Sequence, residues 1–239
     1  LAGALSAALD GGGLVGVAYG ANLLSIRADI DGSCLTECAF RTDDLARGMD
    51  YAVANGAQII VLAVSGRHRL GPRFEAALQR ASDAGAVMVV AAGNDNADDP
   101  SWPARYAADP RFSRSIIAVG AATPALALAS WSNRAGATRQ RYLVAPGDQL
   151  FAGCDEKVCQ VVAGTSFAAP YVAGGLALLM EARPGLSPQE AADILLSAGR
   201  RPAFGFSQAK LGQGFLDIGH AYELVRRRPV IAAREGIGG

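Results

Sequence analysis

Histidine is nearly absent from this chain: its 239 residues include two, His68 and His220. Any reaction that needs an imidazole base therefore has only two candidates here. Charge is thin too. Charged residues make up 18% of the sequence, below the roughly 25% of ordinary globular chains. Lysine plus arginine number 22 and aspartate plus glutamate 22, which leaves no basic field for nucleic acid or an anionic membrane. Long apolar runs are missing as well. The longest, about residues 84–93, is much shorter than the roughly 18 residues of a membrane-spanning helix, so no span is expected. The four cysteines come as two close pairs, Cys34 with Cys38 and Cys154 with Cys159. Neither pair has CxxC spacing or a nearby histidine, which counts against zinc. Two local disulfides are the preferred reading, with free thiols and a metal site as alternatives. Disulfides imply export, so a secreted, periplasmic or cell-surface protein is expected.

Apolar residues are abundant, at 51%, and the length suits one α/β domain or two small ones with a substantial core. The layout repeats. "TDDLARGMDYAVANGAQIIVLAVSG" (42–66) reads as a capped helix stopping at Asn55-Gly56, then a continuous apolar strand, then small residues. "FEAALQRASDAGAVMVVAAGN" (74–94) repeats that order, with Gly85 as the stop. Strands without polar alternation are buried on both faces, and helices alternating with them predict a parallel sheet. Residues 21–29, 115–121 and 141–147 supply further short strands. Residues 166–180 are small and apolar nearly all round, which predicts a helix buried in the middle of the domain. Residues 187–199 carry a Ser187/Glu190 capping box, a proline at the first helical position and a closing Gly199. One domain is expected over residues 1–225, with 226–239 as a basic tail or linker.

Sites in open α/β sheets form in loops at the carboxyl ends of strands. Here those loops read "VSG" after Leu62, "AAGNDN" after Val90 and "AGTS" after Val162, all small, glycine-bearing and polar. In "AGTSFAAP", Gly164 and Thr165 make a tight turn, Ser166 opens the helix, and Pro170 is expected in its first turn, where a missing N–H costs nothing. A serine there is either a nucleophile, with its N–H and the helix dipole facing a developing oxyanion, or an ordinary N-cap. Asn94 follows a buried strand and a glycine. Its carboxamide is either a donor to that oxyanion or the partner of its own turn.

"GTSFAAPYVAG" fits G-T-S-x-A-x-P-x-V-A-G, the serine motif of the subtilisin-like serine proteases, at every fixed position. "VVAAGN" resembles that family's oxyanion-hole strand. "WPARY…SIIAVGA" (102–121), "SWSNRAG" (130–136), "VAPG" (144–147) and "LGQGFLDIGHA" (211–221) are similar to further family segments in the right order. The resemblance runs over about residues 1–224. It implies a three-layer α/β sandwich with a mostly parallel, about seven-stranded sheet, and a serine endopeptidase. By it Ser166 is the nucleophile and Asn94 the oxyanion donor, while Gly164 and Thr165 shape the turn beside the substrate. A polypeptide substrate would add as a strand along Ala63, Val64 and Ser65, and along the segment 31–35. Ala92 and Gly93 would line the pocket for the side chain before the scissile bond.

The family order is Asp, His, Ser, and "LAGALSAAL" resembles the helix that follows the family's histidine motif. Neither His68 nor His220 matches a catalytic position. The resemblance therefore implies a segment upstream of Leu1, or a companion chain, that carries His and Asp, and it implies that this chain alone is inactive. Val61 stands where the family commonly has asparagine, and Tyr171 where it has histidine. No cofactor is required. Residues 9–18 are shorter than the calcium loop of many relatives; Asp95, Asp98 and Asp99 offer either a calcium site, an acidic pocket wall or a solvated loop, so structural calcium has no assignable ligands. The rival functions are a silent pseudoprotease that binds peptides, and an esterase or amidase acting on small substrates.

Overall fold

Apolar runs without polar alternation form the middle layer of the molecule. The computed structural model describes residues 1–11, 13–35, 38–152 and 160–227. In chain order its elements are α1 (Ala2–Ser6), α2 (Thr42–Ala54), β1 (Ile59–Leu62), α3 (Pro72–Asp83), β2 (Val87–Ala91), β3 (Ile116–Ala122) and β4 (Tyr142–Pro146). After these come β5 (Leu150–Ala152), β6 (Gln160–Val162), α4 (Thr165–Ala182), α5 (Pro188–Ser197), α6 (Gln208–Leu211) and α7 (Ile218–Arg227). Strands β1 to β4 lie side by side in sequence order, all parallel, with Leu62 opposite Val90 and Ala91 opposite Val119.

Successive side chains of a strand point to opposite faces, and here both faces are covered. Met88, Val90, Ile116, Ala118 and Val144 pack with Met49, Phe74 and Leu78 of α2 and α3. Val87, Val89, Ile117, Val119 and Leu143 pack with Val172, Leu176 and Leu195 of α4 and α5. The result is three layers, helix on sheet on helix. Every residue of β2 and β3 is buried, and each fully buried valine or isoleucine contributes about 1.5–3 kcal/mol against leaving it in water. Helix α4 is the apolar helix expected from 166–180, and its small residues let it lie close: a Cβ on Gly174 would sit 2.6 Å from the Val17 side chain.

Helix α5 has the capping box that its sequence predicts, with Ser187 and Glu190 each serving the other's backbone. Gly56 and Gly85 follow the ends of α2 and α3 at φ 76° and 83°, the left-handed conformation that glycine adopts without strain.

Several expectations need correction. The main sheet has four strands among the described residues, not about seven, and β5 and β6 form a separate antiparallel pair. Residues 21–29 are not a strand; only Asp29 makes an isolated bridge, to Phe40. Leu23, Leu24 and Ile26 stay exposed, and an extended segment without a neighbour has nothing to receive its ladder hydrogen bonds. The expected capping of α2 is not made at its start, where the N-cap is Arg41 without a side-chain bond. Pro170 lies in the second turn of α4, not the first, so the Ser166 carbonyl lacks its usual i+4 donor. The apolar opening run is helical only over α1, which buries no residue. Cys34 and Cys38 are disulfide-bonded; Cys154 and Cys159 lie outside the described residues. Helix α7 contains Arg226 and Arg227, the first residues of the expected tail, and the remainder of that tail is likewise outside them.

The first turn of α3 is tied to the loop before β3 by charge. Glu75 accepts from Arg69 at 2.6 Å, from Arg111 at 3.0 Å and from the Tyr106 hydroxyl at 3.0 Å, and Asp109 accepts from Arg111 at 2.7 Å. The Arg69 hydrogen bond holds the Glu75 carboxyl below its usual 4.5, and Arg111 lowers Asp109 in the same way. A depressed carboxylate stabilises the fold above its unfolded pKa, and that contribution is lost as pH falls through the folded value. Glu75→Gln should therefore lower the melting temperature at about pH 7, and the gap to wild type should narrow as the pH falls below the ordinary carboxylate range. Thermal unfolding across that range checks it. A gap of equal size at both ends would mean that the carboxylate's charge contributes nothing and that the loss has another cause.

Candidate active site

Adjacent parallel strands that end at the same level deliver their following loops side by side. Ala63, Val64 and Ser65 leave β1 next to Ala92, Gly93 and Asn94, which leave β2. The far end of the gap between them is closed by the segment 101–102. Gly66 and Trp102 exchange backbone hydrogen bonds of 2.8 and 2.9 Å, and the Ser101 N–H donates to the Ala92 carbonyl at 2.7 Å. The third loop, 163–166, arrives from β6 of the separate hairpin and not from a strand of the main sheet. It leads into α4, the buried helix packed beneath the sheet.

Ser166 is the second residue of α4. Its N-cap is Gly164, so the capping role that the sequence left open for Ser166 is not what its side chain does. The hydroxyl instead donates to the Ala63 carbonyl at 3.1 Å, across the gap to the end of β1. The backbone N–H of Ser166 is one of the free donors at the helix's positive end.

Asn94 does not serve its own turn. Its Oδ1 accepts twice from Thr165, from the N–H at 3.0 Å and the hydroxyl at 2.9 Å, while that hydroxyl accepts from the Gly93 N–H at 3.1 Å. Thr165 is buried. Both lone pairs of Oδ1 are thus engaged and Nδ2 is left to face the other way. Gly164 shows where: a Cβ there would lie 3.7 Å from Asn94 Nδ2 and 3.9 Å from the Ser166 nitrogen. Two N–H donors flank the space that this glycine leaves empty, and its φ of 149° is one that a side chain rarely adopts.

One residue of this region was not singled out from the sequence: Asn133, in "SWSNRAG". Its side chain is fully buried and fully paired. Oδ1 accepts from the N–H groups of Asp95 and Ala97, both at 2.9 Å, and Nδ2 donates to the Ala92 carbonyl and the Ser101 hydroxyl, both at 3.0 Å. Its backbone N–H donates to the Gly93 carbonyl at 3.0 Å, and its carbonyl accepts from the Tyr142 hydroxyl at 2.6 Å. Gly93 must be glycine here, because a Cβ would stand 2.5 Å from Asn133 Nδ2. The sequence signal was the segment 130–136, which resembles a family segment without giving its asparagine a role.

Ala63, Val64, Ser65, Ala92, Gly93, Asn94, Gly164, Thr165 and Ser166 therefore all lie in one cluster. The segment Asp31–Leu35 is an exposed turn with no hydrogen bond to Ala63–Ser65 among the described residues. His68 is exposed in the loop beyond Gly66, and the His220 ring faces the Ala198 carbonyl at 3.2 Å. Neither is hydrogen-bonded to Ser166. Asp98 pairs with Arg134 at 3.0 Å, and Asp99 lies 3.9 Å from Arg105 and accepts from the Ala137 N–H at 2.8 Å. Among the described residues no group of three or more His, Cys, Asp or Glu side chains could hold a metal ion, and no helix is long and apolar enough to cross a membrane.

A family model described as the subtilase family, Peptidase S8, matches residues 1–215. The extracellular basic protease of Dichelobacter nodosus is 29% identical over 248 residues, covering 94% of this chain and 38% of that protein. The major intracellular serine protease of Bacillus subtilis (strain 168) is 33% identical over 186 residues, covering 75% of this chain and 53% of the relative. The chain thus spans less than two thirds of the length of either. Among solved structures, the prenylagaramide maturation protease PagA superposes with a TM-score of 0.80 at 24% identity, covering 93% of this chain and 80% of that one, a likeness of fold. The patellamide maturation protease PatA superposes at 0.68 with 28% identity, covering 78% of this chain and 70% of that one.

Asn133→Ala would strip partners from Ala92, Ser101, Asp95 and Ala97 at once. Because buried groups left unpaired cost more than a hydrogen bond contributes, a loss of about 3 kcal/mol in unfolding free energy is expected. Urea unfolding of the two proteins measures it. A loss below about 1 kcal/mol, the size of a single ordinary hydrogen bond, would mean that water replaces the amide without penalty.

Proposed function

Because this chain belongs to the subtilase family, we propose that it is the serine-bearing part of a subtilisin-like endopeptidase. In this reading Ser166 Oγ attacks the carbonyl carbon of a peptide bond, and the carbonyl oxygen becomes an oxyanion. The observation that carries the reading is the pair of donors around Gly164: Asn94 Nδ2 and the Ser166 N–H flank one small space, within reach of a hydroxyl already directed toward the end of β1. Donors fixed before the reaction stabilise developing charge without reorganising. The Thr165 clamp supplies that fixity, since turning the Asn94 amide over would break two hydrogen bonds.

The substrate would lie as an added strand along Ala63–Ser65, with its side chain before the scissile bond between that segment and Ala92–Gly93. The hydroxyl proton needs a base. Among the described residues no imidazole is hydrogen-bonded to Ser166; in this reading a histidine oriented by an aspartate, as in the family's Asp, His, Ser order, is the base. It takes the proton from Oγ and returns it to the leaving amine; water then releases the acyl group from Ser166. The Cys34–Cys38 disulfide supports an extracytoplasmic setting, as does the extracellular relative.

A second reading rests on the same hydroxyl. With its proton on the Ala63 carbonyl, Ser166 is unactivated in this chain, which suits a pseudoprotease that binds peptides without turnover.

A fluorophosphonate probe separates the two. The natural full-length protein should be labelled on Ser166, and Ser166→Ala should abolish the label; a folded protein that takes none would support the pseudoprotease. In an active preparation Asn94→Ala should lower kcat about 100- to 1000-fold with little change in KM, a range that comes from a subtilisin oxyanion donor and not from this chain. A loss confined to KM would mean that Asn94 only holds substrate.

A further inference from the structure

Two large apolar side chains stand in water for no reason that folding supplies. Leu126 is 50% exposed and Phe204 is 92% exposed. Exposed apolar residues scattered singly are ordinary. These two, however, line one groove of about 420 Å³, between the turn that follows β3 and the segment 202–215. Its floor is formed by the buried Ala129, Leu211 and Phe215.

The backbone does not ask for a leucine at 126. The Leu126 N–H donates to the Thr123 carbonyl at 3.0 Å, and the Thr123 N–H donates to the Ala127 carbonyl at 2.8 Å, which makes a tight turn. Leu126 closes it at φ 56°. That left-handed conformation suits glycine and is costly for a leucine. The core does not ask for it either, since half of the residue stays in solvent. Backbone outliers of this kind collect at binding sites. Asn96, at φ 54°, is a second left-handed residue in the lining, so the groove shares the loop that carries Asn94.

The charge of the groove is of one sign. No carboxylate lines it, whereas Lys210 and Arg134 do. Arg134 is fixed by the Asn96 carbonyl at 2.9 Å, the Asn96 side-chain oxygen at 2.8 Å and Asp98 at 3.0 Å. Asp98 is not part of the lining, and its side chain is 94% exposed. Lys210 is exposed and has no carboxylate at ion-pair distance among the described residues. An apolar floor with cations at its rim complements an apolar side chain that has a carboxylate beside it. A small molecule on the floor would leave the outer face of Phe204 in water. A polypeptide lying across the groove would cover it.

We propose that this groove docks an extended polypeptide segment in which a large apolar side chain is followed by an acidic one. The apolar side chain would lie between Leu126 and Phe204, with the carboxylate toward Lys210. The groove does not depend on the chemistry of Ser166, so either reading can fail without the other.

Three fluorescein-labelled pentapeptide amides, Gly-Leu-Phe-X-Gly with Glu, Gln or Lys at X, test it by anisotropy. They are titrated into the full-length protein carrying Ser166→Ala, which prevents cleavage. The Glu peptide should bind about fivefold tighter than the Lys peptide, with Gln between them, and added salt should narrow the gap. Lys210→Glu should reverse the order. Phe204→Ser and Leu126→Gly should each weaken the Glu peptide about fivefold or more, while Leu126→Gly leaves the melting temperature within about 2 °C of its parent. A larger fall in that variant would show that the leucine serves the fold, and would overturn the proposal. Binding that neither Phe204→Ser nor Leu126→Gly weakens would overturn it by placing the peptides elsewhere, and so would the lack of any saturable binding. Equal affinity for the three peptides would overturn the acidic selection. Displacement of the Glu peptide by hexanoate as effectively as by unlabelled peptide would assign the groove to small carboxylates instead.

Discussion

The buried carboxamide of Asn133 is the constraint on which the rest of this site depends. A loop that leaves a sheet strand has backbone N–H and C=O groups with no ladder to receive them, and burying them unpaired is costly. Asn133 answers for the Ala92 carbonyl, the Gly93 carbonyl and the Asp95 and Ala97 N–H groups from a single position. Its own carbonyl is anchored by Tyr142 of β4, and burial pushes the pKa of that phenol well up, keeping it in the donating form. The loop after β2 is thereby tied to the far edge of the sheet, and the shape of one wall follows from the packing of the core.

The second wall depends on Thr165. One hydroxyl accepts from Gly93 and donates to Asn94, so the loop after β2 and the first turn of α4 are locked together. Because α4 is itself packed across β1 to β4, its N-terminus cannot move relative to the sheet without disturbing the core. The donor end of the helix is a consequence of the fold and needs no ligand to assemble it. What the described chain does not supply is a partner that would take the Ser166 proton from the Ala63 carbonyl.

Legibility in the sequence followed the physics of each signal. The N-terminus of helix α5 was readable to its cap, because Ser187, Pro188 and Glu190 act within one turn and need nothing distant, whereas its C-cap is Ala198 and not the expected Gly199. The parallel sheet was readable from the unbroken apolar runs at Val87–Ala91 and Ile116–Ala122. Residues 21–29 misled for the opposite reason: strand character is a property of a pair, and composition cannot supply the neighbour. Ser166, Asn94 and Thr165 were named from a motif, yet the motif did not reveal that Thr165 works through Asn94, since the two are 71 residues apart in sequence. Asn133 was missed because the partners of its side chain lie between 32 and 41 residues away and no local pattern announces them. Pro170 was placed a turn too early because the helix begins at Thr165, on a glycine cap that has no side chain to signal it.

In the proposed reaction the Ser166 N–H and Asn94 Nδ2 are in place before substrate arrives. A crystal structure of the full-length protein after reaction of Ser166 with a peptidyl phosphonate tests it most directly. The account predicts a phosphonyl oxygen beside Gly164, within hydrogen-bonding distance of both the Ser166 N–H and Asn94 Nδ2, with Asn94 Oδ1 still held by Thr165. An adduct whose oxygen points to solvent, or an Asn94 amide turned away from Thr165, would contradict it.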